Sequence, residues 1–239
     1  VLAPGTYYLS AELSITRSVI IEAAVAGSVV LNAQASSSSR RRVLNINPGS
    51  LGVVQVIGLG ITGGYTVSWP PDGYNTGGGV AVVQGTVSIV NCQVYSNQAT
   101  NGGGVTVMGG TVSIVSSQIY SNAATWDGGG VYVSSGTVTI TSSSIHSNSA
   151  AWGSNVYARD GGTVCSLATN LTGVYEYGGT VSACAAPPPS PPPPPPPTIG
   201  GGASPPPLFT YAPPPPSPLP SPPSPPPPSP SPPPLPPPS

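Results

Sequence analysis

The chain has 239 residues, only 5% of them charged, with no lysine and a formal net charge of −1. An ordinary soluble domain carries about a quarter charged residues, so solubility here must come from Ser and Thr hydroxyls or from attached sugars. Five Arg and no Lys exclude nucleic-acid binding by counterion release, and no run of about 20 apolar residues is present to span a bilayer as a helix.

Glycine and proline are segregated. Nearly all the Gly lies before residue 187, whereas 32 of the 36 Pro lie from Pro187 onward. Two parts follow, 1–186 and 187–239. The chain begins at Val1 rather than Met and reads as a processed mature chain or a fragment whose leader has been removed.

In chain order, Thr6–Leu9, Leu13–Ile15, Val19–Ile21, Val29–Leu31, Val43–Ile46 and Val53–Ile57 are short β-branched runs, which predict strands. Ser36–Arg42 predicts a loop. Its Arg40-Arg41-Arg42 is the one charge run, and it suits a solvated loop, a processing site or a contact with acidic polysaccharide. From Gly77 the pattern becomes a repeat. Gly77-Gly78-Gly79-Val80, Gly102-Gly103-Gly104-Val105, Gly128-Gly129-Gly130-Val131 and the degenerate Gly153-Ser154-Asn155-Val156 are spaced by 25, 26 and 25 residues. Gly-Thr-Val steps start at Gly85, Gly110, Gly136 and Gly162, and Ser-Asn pairs recur at Asn97, Asn122 and Asn148.

Within a unit the apolar period is two, giving about three short strands separated by Gly-rich or Ser-Asn corners. Such a unit cannot close a core alone, but units stacked at about 4.8 Å can. Stacking predicts inward columns Val82/Val107/Val133, Ile89/Ile114/Ile140 and Val94/Ile119/Ile145. It also predicts an amide ladder through Asn97, Asn122 and Asn148. The fold class is therefore all-β, a parallel β-helix of about seven coils, some 30–35 Å long.

Three cysteines allow one internal disulfide. Cys165 and Cys184, both near the end of the Gly-rich part, are the expected pair, leaving Cys92 in an inward slot shared with Ser117 and Ser143. Asn170-Leu171-Thr172 is an N-glycosylation sequon, which places Asn170 as the acceptor if the chain is secreted. The acids that would serve glycoside hydrolysis are Glu12, Glu22, Asp72, Asp127, Asp160 and Glu176. Asp127 takes the slot of Asn101 and Asp160 that of Ser134 or Ser135, at different corners, so no catalytic pair is expected and the chain reads as not an enzyme. His146, the only histidine, occupies the outward slot of Tyr95 and Tyr120. Neither a metal nor a cofactor is expected.

From Pro187 the chain is Pro-rich, with an unbroken run over 191–197 and Ser-Pro blocks over 217–239. Such runs form polyproline II, reaching roughly 160 Å over these 53 residues at about 3.1 Å each. A Gly hinge at 198–203 and Leu208-Phe209-Thr210-Tyr211 interrupt it. Leu208, Phe209 and Tyr211 are the expected self-association residues.

Gly-Gly-Gly-Val-Tyr-Val-Ser-Ser-Gly-Thr-Val-Thr-Ile (128–140), followed by Ile145-His146-Ser147-Asn148, resembles the right-handed β-helix repeats of pectate-lyase-like proteins. In particular it is similar to the non-catalytic Gly-rich repeats of algal and protist surface proteins. The likeness covers about Val1 to Cys184 and implies a right-handed helix. Ser-Pro-Pro-Pro-Pro (224–228) resembles the hydroxyproline-rich glycoproteins of plant and green-algal walls, such as extensins and pherophorins. That resemblance implies hydroxylation and O-glycosylation at Pro188, Pro189, Pro192, Pro193, Pro194, Pro195, Pro196, Pro206, Pro214, Pro215, Pro223, Pro226, Pro227, Pro233 and Pro237. A proline-rich linker or a ligand for proline-recognising domains is the plainer reading of the arm.

No amphipathic capping helix precedes the first strand, so head-to-tail self-association into filaments is expected. The expected role is that of a secreted structural glycoprotein of a fibre, wall or cell-surface matrix. Its partners would be further copies of itself, attached glycans and matrix polysaccharide. The alternatives are a carbohydrate-binding adhesin on a stalk, for which Tyr95, Tyr120, Tyr132, Tyr157, Trp126 and Trp152 supply aromatic surface, and a relic of a polysaccharide lyase or hydrolase.

Overall fold

The structure, a computed structural model, describes residues 1–67 and 76–184, all within one compact unit, Val1–Pro188. Asp72 and the whole proline arm lie outside the described residues. So do its hydroxylation positions from Pro188 to Pro237, the 198–203 hinge and Leu208, Phe209 and Tyr211.

The described residues form strands and no helix, arranged in four sheets whose neighbours pair in parallel. Sheet A runs Leu13–Ile15, Leu44–Ile46, Val80–Val82, Val105–Val107, Val131–Val133, Val156–Arg159, Val174–Tyr177. Sheet B runs Val19–Glu22, Val53–Ile57, Thr86–Val90, Thr111–Val115, Thr137–Thr141, Thr163–Leu167, Thr180–Ala183. Sheet C runs Gly5–Tyr8, Val29–Asn32, Leu59–Thr62, Gln93–Tyr95, Gln118–Tyr120, Ser144–His146. Sheet D is short: Tyr65–Thr66, Gln98–Asn101, Ala123–Asp127. From Leu44 to Val133 the chain visits A, B, C and D in turn and then returns to A one layer further on; the layer before lacks D, and those after lack D or both C and D. This is compatible with a parallel β-helix. The regular layers thus hold four strands rather than three. Gln98–Asn101 and Ala123–Asp127 lack the alternation that marks a strand in sequence, and they pair because their neighbours fix the backbone register.

That register is in step. Val82, Val107 and Val133 are partners, as are Ile89, Ile114 and Ile140, and Val94, Ile119 and Ile145. Nearly all these side chains are fully buried, each contributing about 1.5–3 kcal/mol by leaving water. The first glycine of each corner has φ between +60° and +69°, a region costly for a side chain. At the second, exemplified by Gly103, an added Cβ would fall far inside contact with the Ala123 carbonyl and lie 2.7 Å from that of Gly129. The triplet is therefore required both by its own conformation and by the layer beside it.

Two polar ladders line the corners. Asn97 Nδ2 donates to Asn122 Oδ1 (3.0 Å), and Asn122 Nδ2 to Asn148 Oδ1 (3.0 Å). The ladder then turns onto Asn155, which accepts from Asn148 Nδ2 (3.0 Å) and donates to the Thr172 carbonyl (3.0 Å). Asn155 stands where the earlier units have their third glycine, so the degenerate Gly153-Ser154-Asn155 corner ends the ladder. The second ladder joins the Cys92 slot to Ser117, Ser143 and Thr169. Each backbone N–H donates to the hydroxyl of the next layer at 3.1 Å. Cys92 is a buried free thiol, pushed upward in pKa chiefly by its burial.

The arginine run is only in part a solvated loop: Arg40 is exposed, whereas Arg41 is partly buried and Arg42 buried. Arg41 donates to the carbonyls of Leu9 (2.8 Å) and Ala33 (3.1 Å). Arg42 is only 6% exposed; its Nη1 pairs with Glu12 Oε2 at 3.3 Å and its Nε donates to the Thr76 carbonyl at 2.8 Å. A buried charge is tolerated only when paired and hydrogen-bonded, and these two arginines tie the irregular early layers together.

Candidate functional site

The outer face of sheet A changes character along the stack. Ala81, Thr106, Tyr132, Tyr157 and Tyr175 are successive partners in register. Tyr132 and Tyr157 stack with centroids 5.7 Å apart, and Tyr157 and Tyr175 at 5.5 Å with planes 8° apart. A second column precedes the glycine corners: Thr76, Asn101, Asp127 and Trp152 are successive bridge partners. Beside it Trp126 and Trp152 stack at 6.0 Å and 9°. Parallel in-register strands bring like rings to one another at every layer, so a tyrosine at a repeated slot becomes a ladder without further design.

The two columns meet at the C-terminal layers. Asp127, Trp152, Tyr157, Arg159, Tyr175 and Tyr177 line an open cleft of about 270 Å³. Arg159 ends its sheet A strand, pairs with Asp160 and shares a side-chain hydrogen bond with Tyr132. These contacts, the Asp160 bond foremost, raise its pKa. Burial raises the Asp127 carboxyl above its ordinary value, with Arg159 partly offsetting the effect. Burial likewise raises the Tyr132 and Tyr157 hydroxyls. Asp127 and Asp160, expected at different corners, both act electrostatically on Tyr132. Arg159 pairs with Asp160 and also acts electrostatically on Asp127, so its side chain links the two corners.

The remaining sequence candidates lie elsewhere. Tyr95, Tyr120 and His146 form a separate stacked column on sheet C, at 5.3 and 5.7 Å. Cys165 and Cys184 are joined by a disulfide, with Cα atoms 4.7 Å apart. It fastens Thr163–Leu167 to the segment that closes sheet B. Asn170 is exposed in the connection from Thr163–Leu167 back to Val174–Tyr177, where the chain bypasses sheets C and D. Among the described residues no three His, Cys, Asp or Glu side chains gather as metal ligands would. Arg159, Tyr175 and Tyr177 were not singled out as surface residues by the sequence. Their only signal was that 156–159 and 174–177 share the form Val-Tyr-X-X.

No family model matches the chain, and no curated protein or solved structure matches it.

Proposed function

We propose that the chain is a non-catalytic extracellular structural glycoprotein. Its Gly-rich part is a right-handed parallel β-helix of about seven coils, and its 187–239 arm is a hydroxylated, O-glycosylated polyproline II segment. Copies join head-to-tail into a fibre or wall matrix, with the arms contacting neighbouring copies. The observation that carries this reading is the unbroken axial register of the apolar columns and both polar ladders through the repeated layers. That register makes each layer a template for the next. The outermost strands Val174–Tyr177 and Thr180–Ala183 are mostly exposed and pair on one side only among the described residues. Such an edge can receive a further layer from a neighbour. The sparse charge supports a sugar coat, since a surface this neutral otherwise promotes association and precipitation.

Electron microscopy of native secreted material, with mass spectrometry of 187–239, tests it. Fibres bearing hydroxyproline-linked pentoses or hexoses are expected. Isolated monomers, or unmodified proline throughout the arm, would overturn it. The adhesin reading is favoured by one observation, the aromatic cleft beside Arg159.

A further inference from the structure

Within the aromatic columns each inner ring lies face to face with its neighbours, so its faces are covered. Trp152 and Tyr175 are different. Each ends its column, with no further ring of the described residues stacked on it. They are 44% and 42% exposed, and Tyr177 beside them is 63% exposed. Trp126, Tyr132, Tyr95 and His146 also end their columns, but the ends at Trp152 and Tyr175 lie together in the cleft that also holds Asp127 and Arg159.

A ligand for this cleft has to meet three conditions. It must present flat, weakly polarised C–H surface to the negative face of an aromatic ring. It must offer a hydrogen-bond donor to Asp127, which is half-buried and receives no hydrogen bond from any described side chain. It must also offer an acceptor to Arg159, whose guanidinium has five N–H groups and retains donors beyond those given to Asp160 and Tyr132. A pyranose meets all three, because its axial C–H faces are apolar and its rim of hydroxyls both donates and accepts. A proline-rich peptide meets only two. Its residues carry carbonyl acceptors and no N–H, which would leave the Asp127 carboxylate desolvated and unpartnered. A uronate polymer is disfavoured by charge, since one arginine stands against two carboxylates, Asp127 and Asp160.

We propose that the cleft binds an uncharged pyranose oligosaccharide. Trp152 and Tyr175 stack on sugar faces, Asp127 accepts from one hydroxyl and Arg159 donates to another. About 270 Å³ is at the small end for a ligand site, which suits a short stretch or an end of a glycan. The inference is independent of fibre formation and holds equally for a monomer.

The test is calorimetric titration of the full chain with cellohexaose, mannohexaose and galactohexaose, alongside hexagalacturonate and decaproline. At least one neutral hexasaccharide should bind more tightly than both comparators. Trp152→Ala and Tyr175→Ala should each weaken that binding at least about tenfold, whereas Tyr175→Phe, which keeps the ring, should retain it. Asp127→Asn should weaken it several-fold, and Tyr95→Ala, on the separate column, should leave it unchanged. Failure of all three neutral sugars to bind would overturn the proposal. So would tighter binding of hexagalacturonate or decaproline, or binding indifferent to the Trp152 and Tyr175 substitutions.

Discussion

Asn122→Ala removes the middle rung of the amide ladder, and its cost can be built bond by bond. Asn122 is 1% exposed. Its Oδ1 accepts from the Asn97 backbone N–H at 3.1 Å, and its Nδ2 donates to the carbonyls of Val94 (2.9 Å) and Tyr120 (3.0 Å). Alanine leaves the Asn97 N–H buried without that acceptor, which costs about 1–3 kcal/mol. The two lost bonds to carbonyls add about 1 kcal/mol each. Together these give about 4 kcal/mol. For a chain of this size that corresponds to a fall of roughly 1–2 M in the urea midpoint, read by far-UV circular dichroism. Gln118→Ala, exposed on the outer face of sheet C, is the control and should stay within about 0.5 kcal/mol. If the two variants unfold at the same midpoint, the ladder is not a stabilising element and the reasoning fails.

The glycine corners make a sharper contrast. Gly103→Ala, meeting the Ala123 and Gly129 carbonyls of the next layer, should cost about 3 kcal/mol or more. Gly161→Ala, at φ +87° with open space around it, should cost only about 1–2 kcal/mol, and equal melting temperatures would contradict this. Asp127 gives a pH signature. Its raised folded-state pKa means the folded chain holds the proton more tightly, so stability falls as pH rises from the unfolded to the folded value and is level above. Asp127→Asn should therefore melt higher than the parent at pH 7, with the gap closing at pH 3; a gap that does not change with pH would show that burial is not the cause. Reducing the Cys165–Cys184 bridge, with a sequence separation of 19, should release about 3 kcal/mol of loop-closure constraint. Hydrogen exchange should then accelerate over 174–183 and not over 105–141, and uniform acceleration would place the bridge's effect elsewhere.

What the sequence made legible follows from where its information is local. Val82, Val107 and Val133 announce a column because residue type and spacing repeat together, and the Asn97–Asn122–Asn148 ladder needs nothing beyond that repeat. Sheet D was not legible, since Gln98-Ala99-Thr100-Asn101 has neither β-branched density nor alternation, and its pairing is imposed by the layers on either side. The partners that bury Arg41 and Arg42 include Leu9, Glu12 and Thr76, each 30 or more residues away. No local pattern distinguishes such a buried tie from a solvated charge run. Asp127 and Asp160 are expected at separate corners, and they do lie on either side of sheet A; slot alignment says which residues stack, and not how far a long side chain such as Arg159 reaches between those corners.

The residues of the cleft are those that depart from the repeat. Trp152 stands in the column of Thr76, Asn101 and Asp127. Tyr132, Tyr157 and Tyr175 continue a slot that holds Ala81 and Thr106 in earlier layers. Arg159 follows Ala158, the partner of Val133, where the earlier layer has Ser134. A stacked fold constrains inward positions tightly, because each must match the layers on both sides, and leaves outward positions free. Outward residues that are large, aromatic or charged are thus not explained by stacking. In a chain with so few charges, the placement of an Arg and two Asp around the ends of two ring columns asks for a cause outside the core. Ala81→Tyr and Thr106→Tyr together would extend the tyrosine column to five rings; both positions are fully buried and Thr106 donates to the Asn101 carbonyl, so stability should fall by about 1–3 kcal/mol or more. They should not alter binding at the cleft, because the new rings lie at the opposite end of the column from the free face of Tyr175. A calorimetric titration showing a changed affinity would mean that the column, rather than its terminal face, is the recognition element.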